Sequence, residues 1–147
     1  MVVTALDTNV LVTLFKADNP KDIYTAQEAL EQASELGNML ISPVVYAELL
    51  AVPLKEAFLD EFLKESNLNV EWRMERAVWK QAGQSYYQYA ERRRKQKGDT
   101  VPRRILADFL IGAHASTFAK RFLTFDERIY HEAFPSLEII VLPTAKT

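Results

Sequence analysis

Four carboxylates stand in apolar surroundings that do not readily accommodate a charge. They are Asp7 in ALDTNVL, Glu48 in VVYAELLAV, Asp108 in RRILADFLIGAHA and Asp126 in LTFDERIY. A buried carboxylate without a partner is strongly destabilising, so each must reach solvent, a cation or a metal ion. Carboxylate oxygens are the ligands that hard divalent cations such as Mg²⁺ and Mn²⁺ prefer. The four residues are therefore candidate metal ligands.

Each carboxylate also has a purely structural explanation. Asp7 can cap a helix that begins beside it, and Asp126 suits the first turn of a following helix. Asp108 can pair with Arg104, which stands four residues earlier. Glu48 has no basic residue three or four positions away, so an exposed position is its simplest alternative.

The elements that would position these acids follow from the alternation of short apolar runs with longer helical patterns. We predict strands at 2–6, 39–42, 68–72, 121–125 and 137–142. We predict helices at 8–15, 21–36, after Pro43, 54–65, 74–97, 103–119 and 126–132. Strands that alternate with helices form a parallel sheet covered on both faces. The pattern therefore predicts an α/β fold with about five strands, in one domain spanning 1–147.

The predicted order of elements brings the acids to one end of such a sheet. Ligands of these folds bind outside the carboxyl ends of the strands. Asp7 and Asp126 each follow a predicted strand directly, and Glu48 lies in the helix after the second strand. Asp108 lies near the start of the helix that leads into the fourth strand. All four can face one crevice, where mutual repulsion would raise their pKa values and a divalent cation would relieve it.

Taken together, four segments resemble those of the PIN-domain ribonucleases, in that family's order and spacing. These segments are ALDTNVLV, SPVVYAELL, RRILADFLIGAHA and FLTFDERIY. The resemblance covers essentially the whole chain, and it is strongest to the VapC-like toxin branch of toxin–antitoxin pairs. It implies a three-layer α/β/α fold and an endoribonuclease site that depends on Mg²⁺ or Mn²⁺.

The resemblance implies that the four acids form the site, and we assign each of them a role as a mechanistic hypothesis. Asp7 and Asp108 would bind one or two metal ions directly. Glu48 would bind metal or accept a proton from the attacking water. Asp126 would bind metal or orient a metal-bound water. The alternative within the same fold is a module that binds RNA or a protein without cleaving it, although the presence of all four acids favours catalysis.

Supporting residues and partners follow from the same resemblance. Thr8 and Asn9 match the polar positions after the first acid, and Thr124 matches a frequent hydroxyl two residues before the last one. The expected partners are an RNA substrate, a second copy of the chain in a homodimer and a small antitoxin protein. The predicted 74–97 helix is longer than in a minimal member, so RNA contacts near it are not implied.

A basic segment follows that helix. Residues 91–104 hold seven Arg or Lys against two acids, although the formal net charge of the chain is −2. The cations can bind RNA phosphates, or they can simply solvate a helix end and complement its dipole. The candidate RNA-binding residues are Arg92, Arg93, Arg94, Lys95, Lys97, Arg103 and Arg104.

Nearby aromatic and imidazole side chains allow similar alternatives. Tyr86, Tyr87 and Tyr89 can stack on unpaired bases, but packing in or beneath the helix surface is the simpler expectation. His114 and His131 are expected to have structural or surface roles rather than catalytic ones.

The composition excludes several other classes of protein. The chain has no cysteine, so disulfides and zinc–thiolate sites are excluded. There is no basic N-terminal segment with a following apolar run of the secretory type, and no apolar stretch reaches membrane-spanning length. We therefore expect a cytoplasmic protein without a membrane partner.

Overall fold

Five parallel strands form one sheet within the part of the chain that the computed structural model describes, namely residues 1–52, 54–97, 106–126 and 129–145. The strands are β1 (Thr4–Leu6), β2 (Met39–Ile41), β3 (Leu68–Val70), β4 (Arg121–Thr124) and β5 (Glu138–Val141). Their order across the sheet is β3-β2-β1-β4-β5. The central strand β1 pairs Ala5 with Leu40 on one side and with Phe122 on the other.

Helices connect the strands. They are α1 (Thr8–Lys16), α2 (Pro20–Leu36), α3 (Pro43–Ala51), α4 (Glu56–Glu65), α5 (Arg76–Lys97), α6 (Leu106–Phe118) and α7 (Tyr130–Ala133). The predicted three-layer α/β/α fold is confirmed.

Within the described residues, no helix is both long and apolar enough to cross a membrane.

Two helices near the site were predicted to start at 126 and at 103. The helix predicted at 126–132 is α7, which begins at Tyr130 after the N-cap residue Ile129. Placing Asp126 in its first turn was therefore wrong. The helix predicted from 103 is α6, and 103–105 lie outside the described residues.

Local sequence signals fix one end of each of three helices. The Asp7 carboxylate caps α1 by accepting a 2.8 Å hydrogen bond from the backbone N–H of Thr8. Ser42 caps α3 by accepting a 3.1 Å bond from the N–H of Val45. Gly37 ends α2 at a point where a Cβ would stand 2.5 Å from the carbonyl oxygen of Val2. The sharp turns at these positions place each following element at a defined point of the sheet.

Helix α6 lies in the interior of the molecule. Its residues Phe109 to Ala115 are all buried, as the nearly continuous apolar sequence predicts. A Cβ on Gly112 would stand 2.1 Å from the Phe134 ring, so the absence of a side chain makes room for that ring. The close approach at Gly112 is therefore to an aromatic side chain.

Candidate active site

A cavity of about 500 Å³ opens at the carboxyl edge of the sheet, between α1, α3, α6 and the end of β4. All four predicted acids line it, together with two of the predicted supporting residues and three apolar ones. The lining residues are Asp7, Thr8, Asn9, Val12, Glu48, Ala51, Val52, Asp108 and Asp126. The structure thus brings together acids that are up to 119 positions apart in the sequence.

Asp7 is the most deeply placed acid described for this cavity's wall, and only 5% of its surface is exposed. One carboxylate oxygen accepts the bond from the Thr8 N–H, and the other accepts a 2.7 Å bond from the Thr124 hydroxyl. Burial raises the pKa of Asp7 from 3.8 to about 6, although these two hydrogen bonds act to lower it. The negative charges of Asp108 and Glu48 raise it further. Asp7 is both the helix cap that the sequence allowed and a member of an acidic cluster.

Glu48 is partly buried and hydrogen-bonded, so its alternative as a fully exposed residue was wrong. The Thr8 hydroxyl donates to one of its carboxylate oxygens. This bond joins the first turn of α1 to α3 across 40 positions of sequence. It orients Glu48 toward the cavity that Asp7 also lines.

Thr124 and Asn9 connect the end of β4 to the start of α1. The Thr124 hydroxyl donates to Asp7 and accepts a 2.9 Å bond from the backbone N–H of Asp126. The side-chain oxygen of Asn9 accepts a 3.1 Å bond from the N–H of Phe125. These bonds hold Asp7 and Asp126 at the same edge of the sheet.

Sequence reasoning missed one residue beside the acids, namely Tyr130. Its side chain is 1% exposed and packs on Phe122, with ring centroids 4.7 Å apart. Burial raises the pKa of Tyr130, as do the negative charges of Asp7, Asp108 and Asp126 and a hydrogen bond to Asp7. A signal was available, because Tyr130 follows Asp126 by four residues and a buried phenol requires a polar partner.

Comparison with known proteins agrees with the fold. The sequence pattern of the PIN domain family matches residues 4–135. The chain belongs to the PIN domain family. A search of the curated proteins finds no match.

Solved structures show the same fold for this PIN domain. A chain of VapBC2 from Rickettsia felis, bound to a DNA fragment from their promoter, is 22% identical with a TM-score of 0.64. The match covers 96% of the present chain and 99% of that one. A chain of DNA-bound VapBC from Salmonella typhimurium is 19% identical with a TM-score of 0.62, covering 96% and 98% of the two chains. A chain of VapBC-1 from nontypeable Haemophilus influenzae is 22% identical with a TM-score of 0.59, covering 95% and 97%.

The PIN-domain cavity offers ligands of the type that a hard divalent cation requires. Its charged groups are all carboxylates, and the charges of Asp108 and Glu48 act on Asp7. No three His, Asp or Glu side chains among the described residues are placed to hold a metal ion together. Mg²⁺ is commonly bound through only one or two carboxylates while it keeps several waters. The residues present therefore fit a largely hydrated Mg²⁺ or Mn²⁺ better than a fully dehydrated ion.

The basic end of α5 is separate from this cavity, because none of its described cations lines it. Arg92 pairs with Glu132 at 3.2 Å and Arg94 with Glu91 at 2.9 Å. The Arg93 guanidinium lies 5.9 Å from the centre of the Tyr89 ring. Arg92 thus joins α5 to α7, and Arg94 pairs within α5.

Of the other predicted RNA-binding cations, the structure describes the side chain of Lys95. Lys95 is exposed. The Lys97 side chain, Arg103 and Arg104 lie outside the described residues, as does the proposed pairing of Asp108 with Arg104. The RNA-binding role of the segment stays a prediction.

Two of the three nearby tyrosines pack as expected. Tyr86 stacks on Phe109, with ring centroids 4.8 Å apart, and Tyr89 contacts the same ring at 5.5 Å. Tyr87 is 65% exposed, so the expectation that it packs beneath the helix surface was wrong. It stands on the outer face of α5.

The histidines lie away from the acids. His114 is fully buried. Its Nε2 lies 2.8 Å from the backbone carbonyl oxygen of Glu71, and the Nε2–H tautomer donates a hydrogen bond to that oxygen. Burial lowers the pKa of His114. His131 is exposed. Neither histidine lines the acidic cavity.

Proposed function

We propose that this PIN domain is an endoribonuclease that depends on Mg²⁺ or Mn²⁺ and hydrolyses RNA phosphodiester bonds. The observation that carries the proposal is the convergence of Asp7, Glu48, Asp108 and Asp126 on one cavity. Clustered carboxylates destabilise a fold unless a cation neutralises them. An apolar cavity wall would be simpler for a protein that only needs to fold, so the acids point to a bound cation.

The four acids would have different roles in binding the cation and activating water. Asp7 and Asp108 would hold the cation, and Asp126 would hold it or orient a water. Glu48, oriented by the Thr8 hydroxyl, would bind the cation or accept the proton of the attacking water. When bound, the cation would supply Lewis acidity to the scissile phosphate and the attacking water.

We further infer that the protein is the toxin of a toxin–antitoxin pair and that it forms a homodimer. The structural similarity to chains of VapBC structures over nearly their whole length supports this branch of the family. The expected partners are a small antitoxin protein and a second copy of the chain, and the expected compartment is the cytoplasm.

Cleavage of a total RNA pool tests the proposal. The wild type should cut RNA with Mg²⁺ and lose activity in EDTA. Asp108→Asn should be inactive, because Asn keeps the shape of the side chain but removes the negative charge that would hold the cation. The control is Asp18→Asn, the same change at an exposed position outside the cavity. Equal cleavage by wild type with and without metal would refute the proposed mechanism.

The second candidate is a PIN domain that binds RNA or protein without cleaving. One observation favours it, because no three acidic or imidazole side chains among the described residues are placed to share a metal ion. Calorimetric titration with Mg²⁺ separates the two functions. Saturable binding by wild type that is lost in Asp108→Asn supports the nuclease, and no heat from either protein supports the binding module.

A further inference from the structure

A second groove runs along the edge strand β3, on the other side of α3 from the acids. Its volume is about 440 Å³. Its side chains include two aromatic rings and four polar groups: Tyr46, Asp60, Lys64, Asn67, Asn69 and Trp72. We call it the Trp72 groove. No role assigned so far to this chain uses any of these residues.

The aromatic pair presents a free indole surface. Trp72 is 60% exposed, although large aromatic side chains usually bury most of their surface. Tyr46 meets it edge to face, with ring centroids 5.2 Å apart and planes inclined at 68°. The Tyr46 hydroxyl donates a 2.7 Å hydrogen bond to Asp60, which fixes the ring. Trp72 is thus supported from one side and open to solvent elsewhere.

The polar groups of the Trp72 groove suit a nucleobase with its phosphate. The amides of Asn67 and Asn69 offer both donors and acceptors for the edge of a base. Lys64 is exposed and offers a cation for a phosphate. Asp60, the acid in the lining, already accepts the Tyr46 hydroxyl. A second copy of the chain is a poorer occupant, because the centres of protein–protein interfaces are depleted in Lys and Asp.

The position of the groove relates it to the acidic cavity. Trp72 follows the carboxyl end of β3, and Asp7 follows the carboxyl end of β1 in the same parallel sheet. Helix α3 contributes Tyr46 to the groove and Glu48 to the cavity. The two sites therefore lie on either side of one helix, and a helix with its side chains is roughly 10–12 Å across. A single strand that crosses α3 would reach both.

We propose that the Trp72 groove binds an unpaired nucleobase of a single-stranded RNA whose backbone continues into the acidic cavity. The indole of Trp72 stacks on the base, and the Asn amides contact its edge. This inference rests on the proposed function for the identity of the polymer. It makes the substrate single-stranded near the cut, because a base paired in a duplex cannot stack on Trp72.

The two tryptophans of the chain allow a direct test. Trp79→Phe leaves Trp72 as the sole indole, and Trp72→Phe leaves Trp79, which is 50% exposed. In EDTA, oligouridine should quench the fluorescence of the Trp79→Phe protein and leave that of the Trp72→Phe protein unchanged. Equal quenching in both, or quenching in neither, would overturn the proposal.

Affinity and turnover give a second readout. Trp72→Ala should raise the Kd for single-stranded RNA roughly 5- to 150-fold, the loss of one stacked base, while Trp79→Ala changes it little. With metal, Trp72→Ala should raise KM and leave kcat near the wild-type value. An unchanged Kd together with a shift in oligomeric state by sedimentation would show that the groove is a protein interface.

The outcomes separate this proposal from the nuclease proposal. Quenching of Trp72 by RNA that is never cleaved would support the groove and refute the nuclease. Cleavage that is insensitive to Trp72→Ala, with no quenching, would refute the groove and leave the nuclease intact. Absence of any RNA binding by the wild type would refute both.

Discussion

Replacing Asp7 by Asn should stabilise the metal-free protein at neutral pH. Burial raises the pKa of Asp7 from 3.8 to about 6, so the folded protein binds this proton more tightly than the unfolded chain does. Stability from this group is therefore fully present at low pH and is lost as the pH rises toward 6. Asp7→Asn cannot ionise at this position, so its unfolding free energy does not fall over this pH range.

The magnitude follows from the shift in pKa. Each unit corresponds to about 1.4 kcal/mol, so ionised Asp7 costs about 3 kcal/mol of unfolding free energy above pH 6. Solvent does not screen this charge appreciably, because Asp7 is only 5% exposed, so the full value applies. A neutral Asn has a single side-chain oxygen, so it can accept only one of the two hydrogen bonds that Thr8 and Thr124 donate to the Asp7 carboxylate. The bond that remains is also weaker than a bond to a charged acceptor, and the expected gain falls to about 1–2 kcal/mol.

Urea unfolding in EDTA measures the effect. Between about pH 4 and pH 7, the wild type should lose stability relative to Asp7→Asn, while Asp18→Asn should follow the wild type. Asp7→Asn should at the same time abolish cleavage, because the cation loses a ligand. Parallel stability curves for wild type and Asp7→Asn would refute the argument that the Asp7 charge is buried at an energetic cost.

Three further predictions concern packing, the acidic cluster and the cation. Gly112→Ala should lower stability by about 1–3 kcal/mol in urea unfolding, because the new Cβ would stand 2.1 Å from the Phe134 ring; unchanged stability would show that the ring moves freely. Tyr130→Phe should lower stability by about 1–2 kcal/mol at neutral pH, through loss of its hydrogen bond to Asp7. A double-mutant cycle with Asp7→Asn should show coupling, and additive effects would contradict the bond. Mg²⁺ at about 100 times its Kd should stabilise the wild type by about 2.7 kcal/mol in thermal unfolding, and equal stabilisation of Asp108→Asn would place the ion elsewhere.

Local patterns of residues were enough to predict the fold class and the identity of the clustered acids. Alternation of apolar runs with helical periodicity depends on neighbouring residues, so it predicted five strands and the helices between them. The capping role of Asp7 was equally local. Because ligand sites of parallel sheets lie at the carboxyl ends of the strands, the sequence also predicted that Asp7 and Asp126 lie at one edge of the sheet.

Which side chains are in contact depends on how the whole chain packs. The Thr8–Glu48 bond spans 40 positions and the Thr124–Asp7 bond spans 117, and no local pattern encodes such contacts. The pairing of Tyr46 with Trp72 could not be predicted for the same reason. Hydrogen bonds and charge effects depend on separations of a few ångströms, which are set by how strands and helices pack across the whole sheet.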